Sequence, residues 1–173
     1  MTSSRGAFVL AALIGSAGQA FADPPERHCW EGDETATAAG TTQRNHVVGE
    51  RTIDRAANEI RSRSWSEKAP SKTIELTFHV DPVHNTFEFD HPELAAHGTG
   101  VLEGKPWAWT GYTAKLTTKK GDVAIRAQLT ATGMTSRVDV TSAGAPIATI
   151  DAAVTYFDCG RLDSRRAALA AAR

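Results

Sequence analysis

Four histidines, His79, His84, His91 and His97, fall within nineteen residues, interspersed with Asp81, Glu88, Asp90 and Glu93. Imidazole and carboxylate side chains do metal-assisted hydrolysis when several of them converge within about 2 Å of one ion. The spacing here, H-x4-H-x6-H-x5-H, matches no compact ligand pattern. His79 falls on the polar phase of a period-two segment, and His84 and His91 fall at turns, which reads as solvated histidine. A metal site would need the turn "DPVHN" to fold two strands together so that His79 meets the segment around Glu88. That arrangement, a metal-dependent hydrolase built on the His79–His97 region, is the enzymatic alternative.

Nucleophilic chemistry has less to stand on. There is no Gly-x-Ser-x-Gly elbow. The two cysteines, Cys29 and Cys159, are expected to bond to each other. Gly98, Gly100 and Gly104 do not follow a strand–helix order, and the third lies one position late for a phosphate-binding G-x-G-x-x-G. They read as permitting a bend or bulge ahead of Trp107. Glu88 and Asp90 share a strand face opposite Phe87 and Phe89, as on a solvated outer surface. Arg61 and Arg63 also share a face, but two arginines make no nucleic-acid surface.

The stretch with the most recognition potential is "GKPWAWTGY", Gly104 to Tyr112. A strand would point Trp107 and Trp109 to one side, with Tyr112, Ala114 and Leu116 on the other. Three arrangements accommodate that. Gly111 can be a bulge that switches phase and sends every aromatic to the core. The sheet can be covered on both faces. Or one face can line a cavity open at one end. Trp107, Trp109, Tyr112, Phe78, Phe87 and Phe89 are the candidate lining of such a cavity.

The elements that must position these groups are strands. "TIELTFHV" alternates Ile74, Leu76, Phe78 and Val80 with polar residues, and "DVAIRAQLTA" does the same with Val123, Ile125, Ala127 and Leu129. "MTSRVDV" and "ATIDAAVTYF" repeat the pattern, with short turn signals between them. Strands are expected over 45–53, 59–66, 72–80, 85–90, 107–118, 122–131, 134–142 and 147–157, with a hairpin turning near Arg55–Asn58. His97–Glu103 reads as an added segment of the fifth. The expected fold is all-β: an antiparallel up-and-down barrel, or strongly curved sheet, of about eight strands.

Residues 1–22 read as a signal peptide, with an apolar stretch "GAFVLAALIG" and the small-x-small pattern Ala20-Phe21-Ala22. Residues 23–42 read as a leader tied by the disulfide, 43–159 as the barrel domain, and 160–173 as a helical or disordered tail. Without Arg5 the chain has 18 basic and 20 acidic residues, a balance that argues against a nucleic-acid partner. The apolar run is shorter than the roughly 20 residues a membrane helix needs, so the mature chain is expected to carry no integral segment. A Cys29–Cys159 bridge fits an exported, periplasmic or secreted protein.

Sequential antiparallel strands, together with "GTGVLEGKPWAWTGY", "LTATGM" and "GAPIATI", resemble a class of exported bacterial proteins with a calycin or lipocalin-like β-barrel. Lipocalins carry a Gly-x-Trp near the first strand, where this chain has "HCWEGDE". The resemblance implies the barrel and a tendency to hold small apolar ligands. The expected function is a non-enzymatic binding module without a cofactor. An envelope structural protein with a filled core is the third alternative. The sequence specifies no protein partner.

Overall fold

A computed structural model describes residues 26–171. The signal-peptide segment, 1–22, lies outside the described residues. Ten strands run in chain order: β1 (Glu26–Ala38), β2 (Thr41–Asp54), β3 (Glu59–Ser66), β4 (Ala69–Asp81), β5 (Thr86–His91), β6 (Ala96–Lys105), β7 (Ala108–Thr118), β8 (Gly121–Leu129), β9 (Gly133–Ser142) and β10 (Ala145–Phe157). Each pairs antiparallel with its neighbours, and β1 pairs with β10 to close the barrel. Closure leaves no sheet edge unpaired.

The meander follows from alternation and tight turns. Two-residue turns at Ala39-Gly40 and Ala143-Gly144 take positive φ at both positions, the hairpin geometry that matches strand twist. Asn58 closes the β2–β3 hairpin with φ of 53°, at the expected turn. Along Ile74–Val80 of β4, and along β5 and Val123–Leu129 of β8, every second side chain is buried, so one face of each forms the barrel interior.

Two expectations change. There are ten strands, not about eight, and His97–Glu103 belongs to a strand of its own, β6. Most of the segment read as a leader is part of the barrel itself: Glu26–Ala38 is β1 and closes it against β10. The tail is helical, one of the two expected states, and it packs on the barrel. After a short turn at Cys159–Arg161, helix α1 (Leu162–Ala171) packs Leu162 and Leu169 against outward-facing Cys29, Val48 and Trp65. The Arg166 guanidinium stands 4.0 Å above the Trp65 ring, and Arg165 pairs with Glu31.

The Cys29–Cys159 disulfide is formed, joining β1 to the start of this helical segment across 130 residues of sequence. No helix among the described residues is long and apolar enough to cross a membrane.

Candidate functional site

Five of the six candidate aromatics, Phe78, Phe87, Phe89, Trp109 and Tyr112, are buried in one interior cluster, and Trp107 packs against it half-buried. Phe78 and Phe89 have ring centroids 5.1 Å apart, and Tyr112 meets Phe87 edge-on at 5.8 Å. Cross-strand pairing explains the grouping, because Phe78 faces Phe89 and Val80 faces Phe87 on adjoining strands.

The Trp-x-Trp pair meets by a route that alternation does not give. Trp107 is not in a strand. It occupies the Pro106-Trp107 turn with φ of 62°, and β7 begins at Ala108. Trp109 is the inward strand residue, and its Nε1 donates to Asn85 Oδ1 at 3.1 Å. The rings still approach to 4.9 Å. Register explains how Tyr112 also points inward. Glu103 pairs with Gly111 but Gly104 with Trp109, so the strand bulges at Thr110 and changes phase.

Gly98 and Gly100 have a role different from the expected bend. Each faces a phenylalanine across β5–β6, and a Cβ there would stand 2.4 Å from Phe89 Cε1 or 2.2 Å from Phe87 Cζ. The rings lie on the glycines. Gly104, with φ of 107°, is the residue that serves the turn and bulge.

The histidines disperse. His79 is exposed on the outer face, and His84 lies beside Asp81 at its turn, Nδ1 to Oδ2 2.6 Å. That contact holds the Asp81 carboxyl below its ordinary range. His97 pairs on the outside with Asp90 at 3.0 Å. His91 is not solvated. It follows Phe87 and Phe89 on the inward phase of β5, is buried, and has no hydrogen-bond partner at either ring nitrogen. Burial lowers its pKa, so the ring is neutral. Among the described residues no three or more of His, Cys, Asp and Glu are grouped to hold a metal ion.

A second set of groups went unnoticed in the sequence. Arg51 on β2 points inward, fully buried, and donates from Nη2 to Tyr156 Oη at 3.1 Å. His28, opposite Arg51 across β1–β2, is held at 2.7 Å by Glu26. Burial first, and Arg51 second, lower its pKa. The Tyr112 hydroxyl is buried without a hydrogen-bond partner; desolvation raises its pKa, and both Arg51 and Tyr156 act on it electrostatically.

On β3, Ser62, Ser64 and Ser66 are all buried. Further along β1, Glu34 is buried and accepts from Asn45 Nδ2 at 3.2 Å; desolvation pushes its carboxyl up to about 8. The available signal was "RSRSWS", which alternates as cleanly as "TIELTF" but with serine on the inward phase.

A concavity of about 770 Å³ crosses the outside of β4–β7. The backbone at Val80, Phe87, Gly100 and Ala114 forms its floor, between outward side chains such as His79, Glu88, Val101 and Lys115. It lies on the far side of the sheet from the aromatic cluster. No protein-family model matches the chain, and no curated protein matches its sequence.

Proposed function

We propose that this protein is an exported, non-enzymatic binding module for a small, mainly apolar ligand held within the barrel. The observation that carries the reading is Tyr112. Its hydroxyl is fully buried and unpartnered at the margin of an aromatic wall made by Phe78, Phe87 and Phe89. An unpaired buried hydroxyl costs about 1–3 kcal/mol, and a ligand acceptor would relieve it. Burial of apolar ligand surface supplies affinity, and one or two polar groups fix orientation. The closed sequential meander supports a calycin-like relationship. The N-terminal "GAFVLAALIG" with Ala20-Phe21-Ala22, and the disulfide, support export to an oxidising compartment.

Native mass spectrometry of the full chain recovered from its own envelope tests the reading. A retained organic mass of lipid size is expected. Bare protein overturns the binding module in favour of a structural envelope role, and a retained metal overturns it in favour of hydrolysis.

A further inference from the structure

The concavity outside β4–β7, about 770 Å³ in volume, falls in the range of about 300–1,000 Å³ found for small-molecule clefts. Register shows how it is built. One cross-strand row runs His79, Glu88, Thr99, Lys115, and the next runs Asp81, Thr86, Val101, Thr113. All eight residues line the concavity. Six are exposed, and Asp81 and Thr86 are half-buried, so a ligand can reach each of them from solvent.

Most of these side chains are uncommitted. Around the concavity, outward polar groups pair with one another: His97 with Asp90 at 3.0 Å, Thr117 with Asp122 at 2.8 Å and Lys72 with Glu93 at 2.9 Å. Within it, Asp81 and Glu88 have His84 and His97 beside them, at 2.6 Å and 3.8 Å. The side chains of His79, Thr86, Thr99, Thr113 and Lys115 make no hydrogen bond or ion pair with any described residue. Three hydroxyls, an imidazole and an ammonium thus face one hollow with their hydrogen-bonding capacity free. The floor adds no such group, because the backbone at Val80, Phe87, Gly100 and Ala114 is paired into the sheet.

The lining argues against three kinds of occupant. Lys115 is offset by Asp81 and Glu88, so the charge does not favour an anion. Val101, 53% exposed, is the one apolar side chain in either row, too little for a hydrocarbon. A peptide cannot add as a strand, because β4 to β7 are each paired on both sides. We propose that the concavity binds a neutral oligosaccharide. Sugar hydroxyls donate to Asp81 and Glu88 and accept from Lys115. The three threonines and His79 donate or accept as the sugar requires, and the C–H face of one ring rests on Val101. Four strands about 4.8 Å apart make each row about 14 Å wide. That is longer than one sugar ring, which points to a short chain. The site is separate from the barrel interior and does not depend on what the interior holds.

NMR titration of the full chain tests the proposal with cellotetraose, maltotetraose and tetra-N-acetylchitotetraose. Tetraglycine, an extended molecule without sugar hydroxyls, is the control. At least one sugar should shift the amides of His79, Glu88, Thr99, Val101 and Lys115 saturably, leaving β1, β2 and β10 unmoved. The Thr99→Ala/Thr113→Ala double variant should weaken that binding about fivefold or more, through loss of two hydrogen bonds. Both threonines are exposed, so the variant leaves the core intact. If none of the three sugars shifts these amides, the proposal is wrong. It is equally wrong if tetraglycine shifts them at the same concentration, or if the double variant binds as tightly as wild type. None of these outcomes bears on a ligand inside the barrel, so the two readings stand or fall separately.

Discussion

Trp30 lies flat across Gly49. The two residues pair directly between β1 and β2, and a Cβ on Gly49 would stand 2.1 Å from Cζ2 and 2.3 Å from Cε2 of the indole. No side chain tolerates that approach, so the tryptophan keeps its place only while position 49 has no Cβ. The same relationship recurs where Phe89 lies over Gly98 and Phe87 over Gly100. Three aromatic rings thus pack directly on the backbone of a glycine in the adjoining strand.

Gly49→Ala should therefore destabilise the protein by about 1–3 kcal/mol, the cost of forcing an extra group into a closely packed site. Gly160→Ala is the control, because a Cβ there meets nothing nearer than Asp158 Oδ1 at 3.5 Å. Urea unfolding of both variants should show a lowered midpoint for the first and a change within about 0.5 kcal/mol for the second. Equal midpoints would mean that Trp30 moves away without cost.

The disulfide ties the first strand to the helical segment that follows the last. Replacing Cys29 and Cys159 by alanine should lower stability by about 2–5 kcal/mol. The loss should be felt first at α1. That helix is only ten residues long and has Leu162 and Leu169 as its buried residues, so it has little to hold it once its anchor is gone. Hydrogen exchange should show α1 amides losing protection while β8 and β9 keep theirs. Uniform loss across the chain would show the helix to be an integral part of the folding unit.

What was legible in the sequence follows from which faces are covered. β4, β8, β9 and β10 alternate because one face meets solvent, and period two survives intact. Around Val47-Val48 the alternation disappears because both faces are buried, Val47 inside the barrel and Val48 beneath α1. β1 was missed for a related reason. Its inward residues include Gly32 and Glu34, while the buried Cys29 faces outward under the helix. The helix itself offers only two leucines seven positions apart, too narrow a stripe to stand out among alanines. That the large aromatics gather in the interior is legible because they are large and apolar. The inward serines of β3 and Arg51 are not, because polar residues on an inward phase look like a solvated face until the register is known.

Glu34 makes stability depend on pH with a definite sign. Its folded pKa is about 8, against 4.5 for an ordinary glutamate carboxyl. Between those values the folded state holds a proton that the unfolded state has released, so stability falls as pH rises. The contribution is complete below about pH 4.5 and is lost as pH climbs through about 8. His28 and His91 act oppositely. Their lowered pKa values remove stability as pH falls below the ordinary 6.5. The Glu34 effect is isolated by comparison with Glu34→Gln, which can keep the hydrogen bond from Asn45. The variant should unfold at a higher urea concentration at pH 8 than wild type, and the gap should close by pH 5. A gap that is constant with pH would place a charged carboxylate at position 34.

Trp107 gives the last and most discriminating comparison. Six non-glycine residues among those described take positive φ, and the other five are Ala39, Asn58, Asn85, Ala95 and Ala143, all small or asparagine. A bulky side chain in that region costs about 1–2 kcal/mol, so the ring must recover it by packing at 4.9 Å on Trp109. Two substitutions separate the terms. Trp107→Gly removes both the strain and the ring, whereas Trp107→Ala removes the ring and keeps much of the strain. Glycine should be more stable than alanine at this position by about 1 kcal/mol. Wild type should exceed the alanine variant by more than that, if the ring is there to cap this end of the barrel. Should the glycine variant match or exceed wild type in thermal unfolding, the Trp107 ring contributes nothing to the fold. Its place over Trp109 would then have to be explained by what passes through that end of the barrel.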